Sequence, residues 1–199
     1  LWYAQEIEGV RTDIKIVNTS LFMTDWYIDQ MKMKTYEADG VPISFTHDQY
    51  VGDKLDYAVY NAKTEARWNI KDLIDFIRSD DPRTTVEMQN GQKIHFYPTN
   101  KVRIPIDKNT IIQNKVVAPK YYDSIVPYID IEIKGPALYK NRLMMLDVLV
   151  NNNWKRPIYF TGGSFGDDDY LWMKDYLQLD GMVYKLVPIR TAIPKDGSP

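Results

Sequence analysis

The chain contains no cysteine, only two histidines, and no apolar run near the ~18 residues that a membrane-spanning helix requires. The missing thiols exclude disulfides, cysteine-ligated zinc or iron–sulfur centres and thiol catalysis. They leave the compartment open, because a cysteine-free domain folds in the cytosol or the periplasm alike. Charge of one sign is also lacking. Twenty-five Lys and Arg oppose 27 Asp and Glu, for a formal net charge of −2. The basic residues are scattered, so no positive field favours nucleic acid or an anionic membrane surface, and nucleic acid is not an expected partner. No initiator Met, basic n-region or apolar h-region opens the sequence, and neither repeats nor low-complexity segments interrupt it.

What is present bounds the fold. At 199 residues and 44% hydrophobic, the chain is at the upper end of one ordinary domain and can bury a core. Fifteen Tyr and five Trp exceed what such a chain usually carries. Aromatics with a polar tip suit sugar rings and protein interfaces, although half-buried core and sheet positions account for most of them.

Residues 1–34 carry the most information. Residues 1–8 read as the last turns of a helix that Gly9 closes, 13–18 (DIKIVN) alternate like a strand, and Thr24 begins a second helix. A helix–strand–helix entered part-way is expected of a domain belonging to a longer protein. The run LWYAQE, then EG-R-D, IVN-S and TDWYIDQ-K resembles a family of large Bacteroidetes membrane proteins whose membrane part is similar to protein O-mannosyltransferases. Echoes follow at VPISF (41–45), DYAVY (56–60) and RPIYF (156–160). The resemblance implies a multi-span enzyme that takes sugar from a lipid-linked donor on the extracytoplasmic, periplasmic face of the inner membrane. It also implies a catalytic carboxylate in an early loop of the membrane part, so no catalytic residue is carried onto this chain.

Along the rest of the chain, VPISF reads as a buried strand and LDYAVYNA (55–62) as a second. Asn69 caps a helix over IKDLIDFIRS with Leu73, Ile74 and Ile77 on one face. Asn90-Gly91 between TTVEMQ and QKIHFYP is a strong hairpin signal. KVRIPI, with Pro105 restricting it to an edge or an end, and VPYIDIEIKG add strands. RLMMLDVLVNNNW predicts a helix buried on most sides despite Asp147, and RPIYF a strand entering a glycine turn. DDDYLWMKDYLQ predicts a helix and MVYKLVPI the last strand. The expected architecture is a single α/β domain, a three-layer sandwich with a mainly parallel, mixed central sheet. A β-rich insertion or subdomain over 80–134 would project from it.

In open α/β sheets ligands bind beyond the carboxyl ends of strands. Two segments would lie there, on one shared edge if the DIKIVN and RPIYF strands run parallel. The first holds Asn18, Asp25 and Trp26, and the second Gly162, Gly163, Ser164, Asp167, Asp168, Asp169 and Tyr170. Trp26 is either a sugar platform or, more ordinarily, packed. The second segment combines a strand, a glycine turn and a helix start, but it lacks the lysine of a phosphate loop. Its three carboxylates cap the helix and favour its dipole, contact a sugar or protein, or hold a metal through Asp167 and Asp169. Capping is the preferred reading. His47 and His95 have no second histidine at metal spacing and are read as structural. GGSFG is no nucleophile elbow, because Phe165 offsets it.

No metal, cofactor or catalytic residue is therefore expected here. The leading expectation is a soluble extracytoplasmic domain of a membrane glycosyltransferase-like protein, packing on the membrane part of its own parent chain and presenting an acceptor protein or glycan. The alternatives are an independent metal-dependent enzyme acting on sugar nucleotides through Asp167 and Asp169, and a purely structural envelope interaction domain.

Overall fold

The computed structural model describes residues 1–89, 91–161 and 173–191. Its first elements are α1 (Trp2–Glu6), α2 (Asp25–Lys32), α3 (His47–Tyr50), β1 (Tyr57–Tyr60), β2 (Trp68–Asn69), α4 (Ile70–Ile77), β3 (Thr85–Glu87) and β4 (Lys93–Tyr97). β5 (Lys101–Pro105), α5 (Lys108–Gln113), β6 (Tyr128–Glu132), β7 (Ala137–Tyr139), α6 (Lys140–Asn152), β8 (Tyr159–Thr161), β9 (Leu177–Asp180) and β10 (Val183–Leu186) follow. The chain divides into two compact units. One comprises Leu1–Asn61, Ile74–Tyr97 and Pro136–Asn151, and the other Ala62–Leu73, Pro98–Gly135 and Asn152–Pro199. The segment 80–134 is divided between them.

The first unit is built on a four-stranded sheet ordered β3-β4-β1-β7. β1 runs parallel to β4, with Val59 opposite Phe96, and antiparallel to β7, with Ala58 opposite Leu138. β3 and β4 form the expected hairpin, pairing Val86 with Ile94, and Met88 and Gln92 close its loop through a 2.8 Å backbone bond. α6 buries Leu143, Met144, Met145, Leu146 and Leu149, as an apolar surface on most sides requires. α2 buries Tyr27, Ile28 and Met31, the i, i+1, i+4 stripe of an amphipathic helix.

The second unit has two three-stranded sheets, β2-β5-β6 and β8-β10-β9. β5 and β6 are antiparallel, and Arg103 on β5 forks onto Asp130 at 2.7 and 2.9 Å while its guanidinium lies 3.5 Å from the Tyr128 ring centroid. Such cross-strand pairs hold register on a solvated face. Ile111, Val117, Val187 and Ile189 form a buried cluster, with Ile106, Tyr121, Ile125 and Trp154 packed on it.

The α/β class holds, but the mainly parallel sheet does not. Two of the seven strand pairings among the described residues are parallel and five antiparallel. Residues 13–18 form no strand, although they alternate. Part of their backbone is engaged elsewhere: Gln5 Nε2 donates to the Ile14 carbonyl at 2.9 Å, and the Asn18 N–H donates to the Tyr27 hydroxyl at 2.7 Å. Side chains take the groups that a ladder would have used. With no strand at 13–18, the expected parallel pair with RPIYF does not exist, and the shared edge loses its basis. VPISF is not a strand either. Val41, Ile43 and Phe45 do point inward, but Pro42 has no N–H, and the Val41 and Ser44 N–H groups bond to the Met31 carbonyl and the Asp147 carboxylate. The predicted helix over DDDYLWMKDYLQ falls partly outside the described residues. Its described end is a 3₁₀ turn at 173–176 followed by β9. Residues 107–126 hold α5 and a 3₁₀ turn over Pro119–Ser124.

One glycine is fixed by close approach. A Cβ at Gly40 would stand 2.0 Å from the Lys32 carbonyl oxygen and 2.6 Å from its carbon, both backbone atoms at the end of α2. Gly40→Ala should therefore cost roughly 1–3 kcal/mol, the range for overpacking against atoms that cannot swing aside. Urea unfolding monitored by circular dichroism would read this as a lower midpoint, and an unchanged midpoint would mean that the segment after α2 slides freely.

Candidate functional site

The polar chemistry of the first unit gathers around α2. Thr24 occupies the N-cap position in extended conformation, but its hydroxyl donates back to the Leu21 carbonyl at 2.8 Å instead of capping the helix. Asp25, in the first turn where a carboxylate favours the helix dipole, is used elsewhere as well. Its Oδ1 accepts from Lys140 Nζ at 3.1 Å and its Oδ2 from the Gly52 N–H at 2.7 Å.

Lys140 opens α6 and is only 1% exposed. Four oxygens converge on its ammonium: Asp25 Oδ1 at 3.1 Å, Asp56 Oδ1 at 3.0 Å, and the carbonyls of Tyr50 and Gly52 at 3.0 and 3.1 Å. The Lys140 backbone N–H also donates to the Asp56 carbonyl at 2.9 Å. Gly52 offers both its N–H and its carbonyl to this cluster from a left-handed conformation, φ +65°, which costs glycine nothing. A desolvated ammonium is tolerable only with such a full set of acceptors and at least one counter-charge.

One turn along α2, Asp29 accepts from the Tyr50 hydroxyl and from His47 Nδ1 at 2.9 Å. Burial pushes the Asp29 carboxyl up, but these two hydrogen bonds outweigh it and hold the group below the ordinary carboxylate range. Burial and the Asp29 charge raise the Tyr50 hydroxyl far above a free phenol. An ionised Asp29 can only accept, so it is His47 Nδ1 that carries the proton in this hydrogen bond. A second buried network lies on α6. Asp147 accepts from the Ser44 N–H and hydroxyl, both at 2.6 Å, and from Asn151 Nδ2 at 2.8 Å, while Arg78 donates to the Ser44 hydroxyl at 2.9 Å. Burial raises the Asp147 carboxyl above its ordinary value, against the lowering effect of those donors.

Of the residues singled out in the sequence, Asn18, Asp25 and Trp26 lie within this unit. Asn18 accepts from the Ser20 N–H at 3.1 Å through its side chain and holds the Tyr27 hydroxyl through its backbone. Trp26 is not packed away. It stands 60% exposed, with its ring edge-on to Tyr27 at 5.6 Å between centroids. Gly162, Gly163, Ser164, Asp167, Asp168, Asp169 and Tyr170 lie outside the described residues. His47 is hydrogen-bonded, whereas His95 on β4 has a buried Nδ1 with no partner among the described residues, and burial lowers its pKa. Sequence reasoning did not find Lys140, Asp29, Tyr50 or Ser44. The one available signal was a lysine at the entry of an otherwise apolar helix. Among the described residues, no group of three or more His, Asp or Glu is placed to hold a metal, and no helix is long and apolar enough to cross a membrane.

The model of the TMEM260-associated domain 2 family matches residues 1–198, and the chain belongs to that family. No curated protein and no solved structure matches it.

Two outcomes follow from the buried charges. Lys140→Met removes the charge, and Asp25 and Asp56, which are partly exposed, regain water. Asp25→Asn with Asp56→Asn instead strands the ammonium among carbonyls, a change worth roughly 3–5 kcal/mol when a buried pair is broken. The double variant should be the less stable of the two in chemical denaturation, and the reverse order would refute the cage as an electrostatic unit. For Asp147, the folded carboxyl has the higher pKa, so the folded state binds more protons than the unfolded one between the two values. Its contribution to stability is full below the unfolded value and is lost as pH rises through the folded one. The difference in unfolding free energy between wild type and Asp147→Asn, followed from pH 3.5 to 7, should therefore fall as pH rises. A flat difference would show that the donors cancel the burial.

Proposed function

We propose that this chain serves as a non-catalytic, extracytoplasmic domain of a membrane-embedded, glycosyltransferase-like protein of the protein O-mannosyltransferase kind, docked on the membrane part of its own parent chain. Membership of a family associated with TMEM260, itself glycosyltransferase-like, supports the setting. The observation that carries the docking role is where the apolar surface lies. Nine of the fifteen large hydrophobic residues exposed among the described residues fall within positions 1–36.

Most of those residues are drawn together by hydrogen bonds between their segments, with Trp26 on α2 not among them. Gln5 bonds α1 to the carbonyls of Arg11 and Ile14, and the Tyr36 hydroxyl donates to Glu6 at 2.7 Å. Lys15 Nζ donates to the Met33 carbonyl at 2.8 Å. Leu1, Trp2, Tyr3 and Ile7 are thus brought beside Val10, Met33 and Tyr36, all of them exposed. Contiguous exposed apolar surface of this kind marks an interaction site, and Trp and Tyr are enriched where such sites are buried against a partner.

The test is co-purification of the 199-residue chain with the detergent-solubilised membrane part, expressed separately. Wild type should be retained. Trp2→Glu combined with Ile7→Glu should abolish retention while leaving unfolding within about 0.5 kcal/mol, because both sites are exposed. Equal retention of the variant, or no retention of wild type, would refute the docking role. Glycosyl transfer by the isolated chain would refute the non-catalytic one.

A further inference from the structure

We infer that the exposed face of α2 is a carbohydrate-binding face, on which Trp26 stacks against a sugar ring while Gln30, Asp29 and His47 take its hydroxyls. The inference rests on the proposed function for its setting, and it gives the acceptor-presenting role a place on the molecule.

The geometry is that of one helix face. Residues three and four positions apart are neighbours on an α-helix, so Trp26 is followed on its own side by Asp29 and Gln30. The indole is 60% exposed, its neighbours three and four positions on are polar, and the next exposed apolar side chain along that face is Met33, seven residues away. This distinguishes it from the α1 surface, where apolar side chains adjoin one another. A protein interface or a lipid would leave the polar groups of α2 desolvated without partners, at a cost. A pyranose offers both things that this face needs, a flat C–H surface for the indole and a rim of hydroxyls for polar side chains.

The face is also pre-organised. Asp25, immediately before Trp26, is held by Lys140 and the Gly52 N–H. Tyr27, immediately after it, is buried, and its hydroxyl is fixed by the Asn18 N–H. Asp29 is fixed by Tyr50 and in turn orients His47, leaving carboxylate lone pairs for one hydroxyl and the second ring nitrogen of His47 for another. The Gln30 side chain has both a donor and an acceptor and makes no hydrogen bond among the described residues. Asp29 and His47 have little rotamer freedom to lose on binding, because hydrogen bonds already hold them.

The experiment is a titration of the ¹⁵N-labelled chain with three neutral trisaccharides, mannotriose, cellotriose and N-acetylchitotriose, following the five indole N–H signals. At least one sugar should shift the Trp26 signal saturably. Trp26→Ala should weaken binding about tenfold, the worth of one aromatic stack, and Trp26→Tyr should restore most of it. Gln30→Ala should weaken it less while leaving the amide spectrum otherwise unchanged. No saturable shift with any of the three sugars at tens of millimolar overturns the inference, as does binding that Trp26→Ala leaves intact. It is also overturned if Trp26→Ala instead abolishes retention by the membrane part, since Trp26 would then belong to the docking surface. Failure of docking through Trp2 and Ile7 leaves the sugar titration untouched, so the two readings fail separately.

Discussion

The ammonium of Lys140 is the point on which the first unit turns. It lies at the start of α6, yet its partners come from the start of α2, from the turn at 50–52 and from the residue that leads into β1. A buried ammonium without acceptors would cost several kcal/mol, so these four segments are obliged to meet at one place. The backbone strengthens the obligation, since the Lys140 N–H takes the Asp56 carbonyl beside the carboxylate that its side chain engages. Apolar packing alone tolerates sliding and repacking, whereas this cluster has one geometry in which every group is satisfied. The position of Trp26 follows from it, because Asp25 has no freedom to let the helix start move.

The second buried network acts on a different segment by the same logic. Ser44 lies in a stretch that alternates like a strand, and its N–H and hydroxyl both go to Asp147. A carboxylate in the middle of an apolar helix thus replaces a neighbouring strand as the partner of that backbone. Arg78 reaches the same Ser44 hydroxyl, so the charge on Asp147 has a counter-charge one hydrogen bond away. Strand propensity at 41–45 gives way to a tertiary hydrogen bond that no local pattern contains.

Legibility in the sequence follows the range of the deciding interaction. α4, α6, the β3–β4 hairpin and β5 were legible because local causes decide them: the Asn69 side chain accepting from the Lys71 N–H, an apolar face, a glycine with positive φ between the two strands, and a proline at a strand end. Residues 13–18 misled because alternation records where side chains can point and not whether another strand offers its edge. The Gln5 side chain that takes the Ile14 carbonyl is nine residues away, and nothing in the spacing announces it. The candidate site was half legible. Asp25 and Trp26 stood out by residue type at a helix start, but Lys140 is 115 residues from Asp25, and a lone lysine at the head of a helix is ordinarily a solvated one.

The two faces of the first unit differ in the partner each can accept, and the difference is chemical. Around α1, apolar side chains adjoin one another and the intervening polar groups bond among themselves, so covering the surface strands few donors or acceptors. Such a surface gains most from continuous burial. On α2 a single indole is set among a carboxylate, an imidazole and an amide, and burying it under a dry partner would leave those groups unpaired. That surface gains most from a ligand that is itself half apolar and half hydroxyl, and that leaves when water competes for its rim. The two proposed contacts, one permanent and one reversible, would therefore occupy separate surfaces of one unit. The buried Lys140 cage fixes the second in place without depending on whether the first is covered.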